Sequence, residues 1–230
     1  MIIEKGGNIV KLTKKKVFVS ALALCLVAIL SMGSLAWFSA KDEVTNKFLI
    51  ADSEDDTPDK IFSVSVWEKT PDTDKDEDGH TYKDILPGDT LKKEVHVENT
   101  GHYKQYIRVI VTVTDASAWQ TVFGLTGGQV VPLSNIVANY DATIWQPSGA
   151  NYDATNNTFV YVLYYNGILE SGKDITVFTD VKIPESLTRE QAADFKGGFE
   201  VKVKAQAVQT ENVGASAYEA FQTVGMAIGD

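Results

Sequence analysis

The feature that most constrains this chain is an alternation of apolar and polar residues with a period of two. Phe62, Val64 and Val66 alternate with Ser63, Ser65 and Trp67. Leu91, Lys93, Val95 and Val97 oppose Lys92, Glu94, His96 and Glu98, while Ile107, Val109, Val111 and Val113 oppose Tyr106, Arg108, Ile110 and Thr112. Successive side chains of a strand point to opposite faces, so each stretch reads as a strand with one face in a core. Thr158 to Tyr165 is apolar at nearly every position and predicts a strand buried on both faces. Asp174 to Ile183 and Phe199 to Val208 follow, the latter with Phe199, Val201, Val203, Ala205 and Ala207 inward. So many strands beside so little helix predict an all-β fold: a two-sheet jelly roll or β-sandwich with one or two short helices.

Turn chemistry marks the boundaries. Leu86-Pro87-Gly88-Asp89 puts Pro and Gly where a type II turn wants them, and Asn99-Thr100-Gly101 closes the next strand. Thr188 with Gln191 three residues on is a capping-box pattern ahead of Ala192, Ala193 and Phe195, and Ala215 to Phe221 predicts a short C-terminal helical turn. Asn139-Tyr140-Asp141-Ala142-Thr143 recurs as Asn151-Tyr152-Asp153-Ala154-Thr155. That is too short for a repeat fold and predicts two similar turns flanking Ile144-Trp145.

Ahead of the strands lies an address. Lys11, Lys14, Lys15 and Lys16 precede an uncharged run from Val17 to Phe38, followed at once by Lys41-Asp42-Glu43. This is the layout of a secretory signal, and Ser34-Leu35-Ala36 is the small-x-small pattern that predicts cleavage between Ala36 and Trp37. The run also approaches the roughly 20 residues that span a bilayer, so residues 17–38 imply either a transient membrane association during export or a retained anchor. The expected organisation is a signal peptide over 1–36, a flexible arm over 37–60 and a single β-sandwich domain over 61–230.

Charge and cysteine content narrow the function. The formal net charge is -10, and removing residues 1–36, with Lys5, Lys11, Lys14, Lys15 and Lys16 against Glu4, leaves about -14. So acidic a chain lacks the basic face that phosphate neutralisation requires, which excludes a nucleic-acid partner. The single cysteine, Cys25, lies in the leader, so the exported part has neither disulfides nor a thiolate metal site and suits a secreted, extracellular location.

Candidate chemistry is thin. Asp74-Lys75-Asp76-Glu77-Asp78-Gly79 matches the first half of a calcium loop, in which Asp74, Asp76 and Asp78 converge on one ion and glycine permits the bend. The position of the bidentate glutamate is Ile85, so the segment reads as either a weak calcium site or a solvated acidic hairpin tip. His96, Glu98 and His102 lack the spacing of a zinc helix, since His96 and Glu98 share the outer face of a strand and His102 follows a turn. Without a Gly-x-Ser-x-Gly turn there is no serine nucleophile arrangement either. The chain reads as a non-enzyme that requires no cofactor, with Tyr161, Tyr164, Tyr165, Trp67, Trp119 and Trp145 as core and sheet aromatics.

Five segments in order carry a resemblance. They are Leu35-Ala36-Trp37-Phe38-Ser39, Val44-Thr45-Asn46-Lys47-Phe48, Leu86-Pro87-Gly88-Asp89-Thr90-Leu91-Lys92-Lys93-Glu94, Val97-Glu98-Asn99-Thr100-Gly101 and Ala205-Gln206-Ala207-Val208-Gln209. With them the chain resembles the TasA and camelysin group of exported bacterial proteins, including clostridial biofilm matrix members. The resemblance implies export through a specialised signal peptidase, a jelly-roll subunit and self-assembly into extracellular fibres. It also implies that the arm of one subunit completes a sheet of the next, with Val44, Asn46, Phe48 and Ile50 on one face. Two other readings stay open: a camelysin-like cell-surface metallopeptidase, and a membrane-anchored surface adhesin stabilised by calcium.

If the acidic segment binds calcium, calorimetry will record saturable heat with a dissociation constant on the order of 10⁻⁴ to 10⁻³ M. An absence of heat at millimolar calcium identifies a solvated loop.

Overall fold

In the computed structural model, residues 39–44, 62–71, 79–195 and 198–228 are described. Nine strands are formed: β1 (Ser39–Val44), β2 (Ser65–Lys69), β3 (Thr90–Glu98), β4 (Gln105–Thr114), β5 (Val137–Ala138), β6 (Trp145–Asp153), β7 (Thr158–Tyr165), β8 (Asp174–Lys182) and β9 (Val201–Gln209). Four short helices accompany them: α1 (Ala116–Val122), α2 (Leu133–Ile136), α3 (Arg189–Asp194) and α4 (Ala217–Val224). The strands form two antiparallel sheets, ordered β1-β9-β4-β7-β6 and β2-β3-β8-β5. The protein is therefore mostly β, consistent with a β-sandwich.

The period-two pattern explains the core. Val66, Val95 and Val97 from one sheet meet Ile107, Val109, Val111 and Val113 of β4 and Val203, Ala205 and Ala207 of β9, all fully buried. Trp145 joins the layers, donating from Nε1 to the Thr176 carbonyl of the facing sheet at 2.8 Å.

The strand β4 was expected to bury one face and buries both. Tyr106, Arg108 and Ile110 on its outer face are 6%, 2% and 5% exposed because α4 packs there through Ala217, Ala220 and Phe221. Arg108 donates through Nε to Gln206 at 2.7 Å and through Nη2 to the Ala227 carbonyl at 2.9 Å, and its guanidinium lies 4.4 Å from the Phe221 ring centre. These bonds satisfy a cation that burial alone would disfavour. Tyr164 on β7 meets the same helix, edge to face with Phe221 and Tyr218.

The turn residues act as their chemistry predicts. Gly88 has φ +89°, Asp89 N–H donates to the Leu86 carbonyl, and the Asp89 carboxylate accepts from Leu86 N–H at 2.7 Å. Buried Asn99 donates to the carbonyls of Tyr103 and Leu169 and accepts from Gly101 N–H, pinning that turn. The two related pentapeptides form matching Asx turns: Asp141 accepts from Thr143, and Asp153 accepts from Thr155 and Asn156. These bonds hold both carboxyls below the usual range.

A Cβ on Gly101 would lie 2.7 Å from the Ser63 backbone nitrogen, whereas one on Gly149 would meet nothing within 4 Å. Gly101→Ala should cost about 1–3 kcal/mol through overpacking. Gly149→Ala should stay within about 0.5 kcal/mol of the parent. Denaturant unfolding measures both.

Candidate functional site: the edge of β9 and the cleft beside it

β9 alternates Val203, Ala205 and Ala207 into the core with Lys202, Lys204 and Gln206 on the other face. One of its sides pairs with β4, from Gln105 opposite Gln209 to Val113 opposite Val201. Its other side pairs with β1, from Ser39 opposite Val208 to Val44 opposite Val203. The sequence of β1, Ser-Ala-Lys-Asp-Glu-Val, is poor in β-branched and aromatic residues. Its place in the sheet thus rests on the backbone ladder more than on intrinsic preference.

The described part of β1 ends at Val44, so Val201 and Lys202 extend two residues past the last partner it supplies. Those same two residues line a cavity of about 930 Å³ at that end of the sheets. One wall is apolar, with Leu91, Val181 and Ile183. Another is aromatic: Trp119 of α1 meets Phe195 and Phe199 edge to face, with ring centres 5.4 and 4.9 Å apart.

Polar groups sit deep in the same cleft. Glu68 of β2 is 1% exposed and pairs with the ammonium of Lys93 on β3, itself 8% exposed. Among the described residues, the second Glu68 oxygen and the Trp119 indole N–H are buried without a hydrogen-bond partner. Buried polar atoms in native proteins nearly always find partners, so an acceptor and a donor left open beside a cleft mark a place where another polar group fits. The parity of the strands already pointed here: Glu68 shares a face with Val64 and Val66, and Lys93 with Val95 and Val97. Sequence reasoning placed Lys93 inward but missed its partner.

Of the residues expected to form the assembly strand, Val44 lies in β1 opposite Val203, while Asn46, Phe48 and Ile50 lie outside the described residues. The cleavage pair Ala36 and Trp37 and the calcium candidates Asp74, Asp76 and Asp78 also lie outside them. Among the described residues no cluster of three or more His, Cys, Asp or Glu side chains is arranged to hold a metal, and no helix is long and apolar enough to cross a membrane. His96 and Glu98 are on β3 and His102 is an exposed loop residue, so the structure does not bring the three together as a site. Of the aromatics expected in the core and sheets, Trp119, Trp145, Tyr161 and Tyr164 are buried, while Trp67 and Tyr165 are half-buried. Tyr161 donates to the Val131 carbonyl at 2.6 Å, and burial pushes its hydroxyl above the usual range.

No family model, no curated protein and no solved structure matches this chain.

Removing one partner of the buried pair strands the other charge. Glu68→Ala or Lys93→Ala should therefore cost about 3–5 kcal/mol, whereas Glu68→Leu combined with Lys93→Met should recover most of the loss. Equilibrium unfolding of the two single variants and the double variant tests this.

Proposed function

We propose that this protein is a secreted structural subunit of extracellular fibres in a bacterial biofilm matrix, related to the TasA and camelysin group and assembling through its N-terminal arm. The observation that carries the reading is the pairing of β1 with β9. A short, polar strand occupies the edge of a sheet beside β9, whose Val203, Ala205 and Ala207 face the core. A strand held mainly by its ladder can be replaced by the same strand from another copy, because the backbone groups it satisfies are identical. Head-to-tail donation of this kind does not close on itself and generates a filament.

In the donated arrangement the arm of a neighbouring copy, with Val44, Asn46, Phe48 and Ile50 on one face, takes the place of β1 beside β9. The neighbours β1-β9-β4-β7 in one sheet and β3-β8-β5 in the other support a jelly roll, in which strands distant in sequence alternate within each sheet. In this reading residues 1–36 are removed by a specialised signal peptidase, and the partner is the protein itself.

The test is electron microscopy of the secreted chain with and without residues 37–50. The intact chain forms filaments, and the shortened one remains a folded monomer. Undiminished filaments after the deletion overturn the reading.

A further inference from the structure

The outer face of the four-stranded sheet carries a second arrangement, separate from the β9 edge. His96 at the centre of β3 is 8% exposed. Its ring lies flat on the Trp67 indole of β2, with centres 3.9 Å apart and planes 2° from parallel. Nδ1 faces an oxygen of Asp174 on β8 at 2.8 Å, and Nε2 faces an oxygen of Glu94 at 3.2 Å. One imidazole therefore touches all three strands at once.

Carboxylates accept hydrogen bonds and do not donate them, and a neutral imidazole has a single N–H. Two carboxylates on the two ring nitrogens are both satisfied only when the ring is an imidazolium. Stacking on an indole face favours the same form, because the ring's negative face attracts a cation. Glu94 is fixed as an acceptor: its hydrogen bond from Lys92 at 2.8 Å foremost, and that from His96, hold its carboxyl below the usual range.

The surrounding charges are mixed. On β2, Lys69 stands opposite Glu94 and Ser65 opposite Glu98. On β8, Thr176 stands opposite His96, Asp174 opposite Glu98 and Asp180 opposite Lys92. Immediately around the ring, the carboxylates of Glu94 and Asp174 approach closest.

We propose that His96 is a proton-operated clasp that fastens the edge strand β2, through Trp67, and β8, through Asp174, onto β3. When the ring is protonated both carboxylates are bonded and the indole is capped by a cation. When it loses a proton, one nitrogen presents a lone pair to a carboxylate and that contact opens. The clasp is thus closed when both ring nitrogens carry a proton and opens when one of those protons leaves.

Tryptophan fluorescence of the full chain between pH 5 and pH 8 reads the clasp directly, because a stacked imidazolium quenches the indole beneath it. Emission should rise in a single-proton step as pH increases, and the step should vanish in both His96→Gln and Trp67→Phe, leaving His80 and His102 in place. Over the same interval the thermal midpoint of the parent should fall by about 2–4 °C more than that of His96→Gln. A fluorescence step that persists in His96→Gln, or parent and variant midpoints with the same pH dependence, overturns the proposal. If the glutamine variant fails to fold, Asp174→Asn supplies the comparison: a smaller shift of the midpoint supports the clasp and an unchanged one contradicts it.

Discussion

A strand at the rim of a sheet leaves a row of backbone N–H and C=O groups to be satisfied, and the architecture of this protein turns on how β9 meets that requirement. β9 is not an ornament at the border. It carries Val203, Ala205 and Ala207 into the core and is hydrogen-bonded along its length to the central strand β4. Only its far side is covered by β1, a segment separated from it by more than 150 residues of chain and poor in strand-forming side chains. Under the proposed exchange that covering is replaceable, while the edge it protects belongs to the fold. That asymmetry is the physical basis of the proposed exchange between subunits.

The two sheets are coupled unevenly. In the middle the layers are joined by close-packed aliphatic side chains and by the Trp145 hydrogen bond to the Thr176 carbonyl. At the Val201 end of β9 the described residues leave a cleft with a buried Glu68–Lys93 pair and, among those residues, unpartnered polar atoms at Glu68 and Trp119. Such a pair is weak as a source of stability, because desolvation offsets most of its attraction, but it fixes which group belongs where. On the opposite face of the five-stranded sheet, α4 and the buried Arg108 close what an exposed sheet face would leave open.

Much of this was legible in the residues. The strands of the core follow the alternation, Gly88 and Asn99 act as turn chemistry requires, and Thr188 with Gln191 forms both halves of a capping box at the start of α3. Other elements left no local signal. β6 runs through Gln146-Pro147-Ser148-Gly149-Ala150 with that stretch exposed, so no alternation marks it, and it is held to the core by Trp145 at its start and Tyr152 near its end. α1 lacks a capping side chain of its own: Asp115 stands before it in a left-handed conformation, and its first N–H groups are satisfied by Asn157, forty residues away. The second buried face of β4 was invisible because its cover, α4, comes from the opposite end of the chain. At the site, parity placed Lys93 inward, but pairing it with Glu68 required the register of β2 on β3. The segments carrying Asn46, Phe48, Ile50 and the acidic loop lie outside the described residues.

The account depends most on whether β1 must leave its own β9 for subunits to join. Glu43 and Lys204 stand directly opposite each other in that pairing, and the only native cysteine is Cys25. In the secreted chain carrying Glu43→Cys and Lys204→Cys, oxidation before assembly ties β1 to the subunit's own sheet. Electron microscopy and light scattering should then find monomers under oxidising conditions and filaments after reduction. Filaments that grow equally well from the oxidised, internally cross-linked chain would contradict strand exchange as the mechanism of assembly.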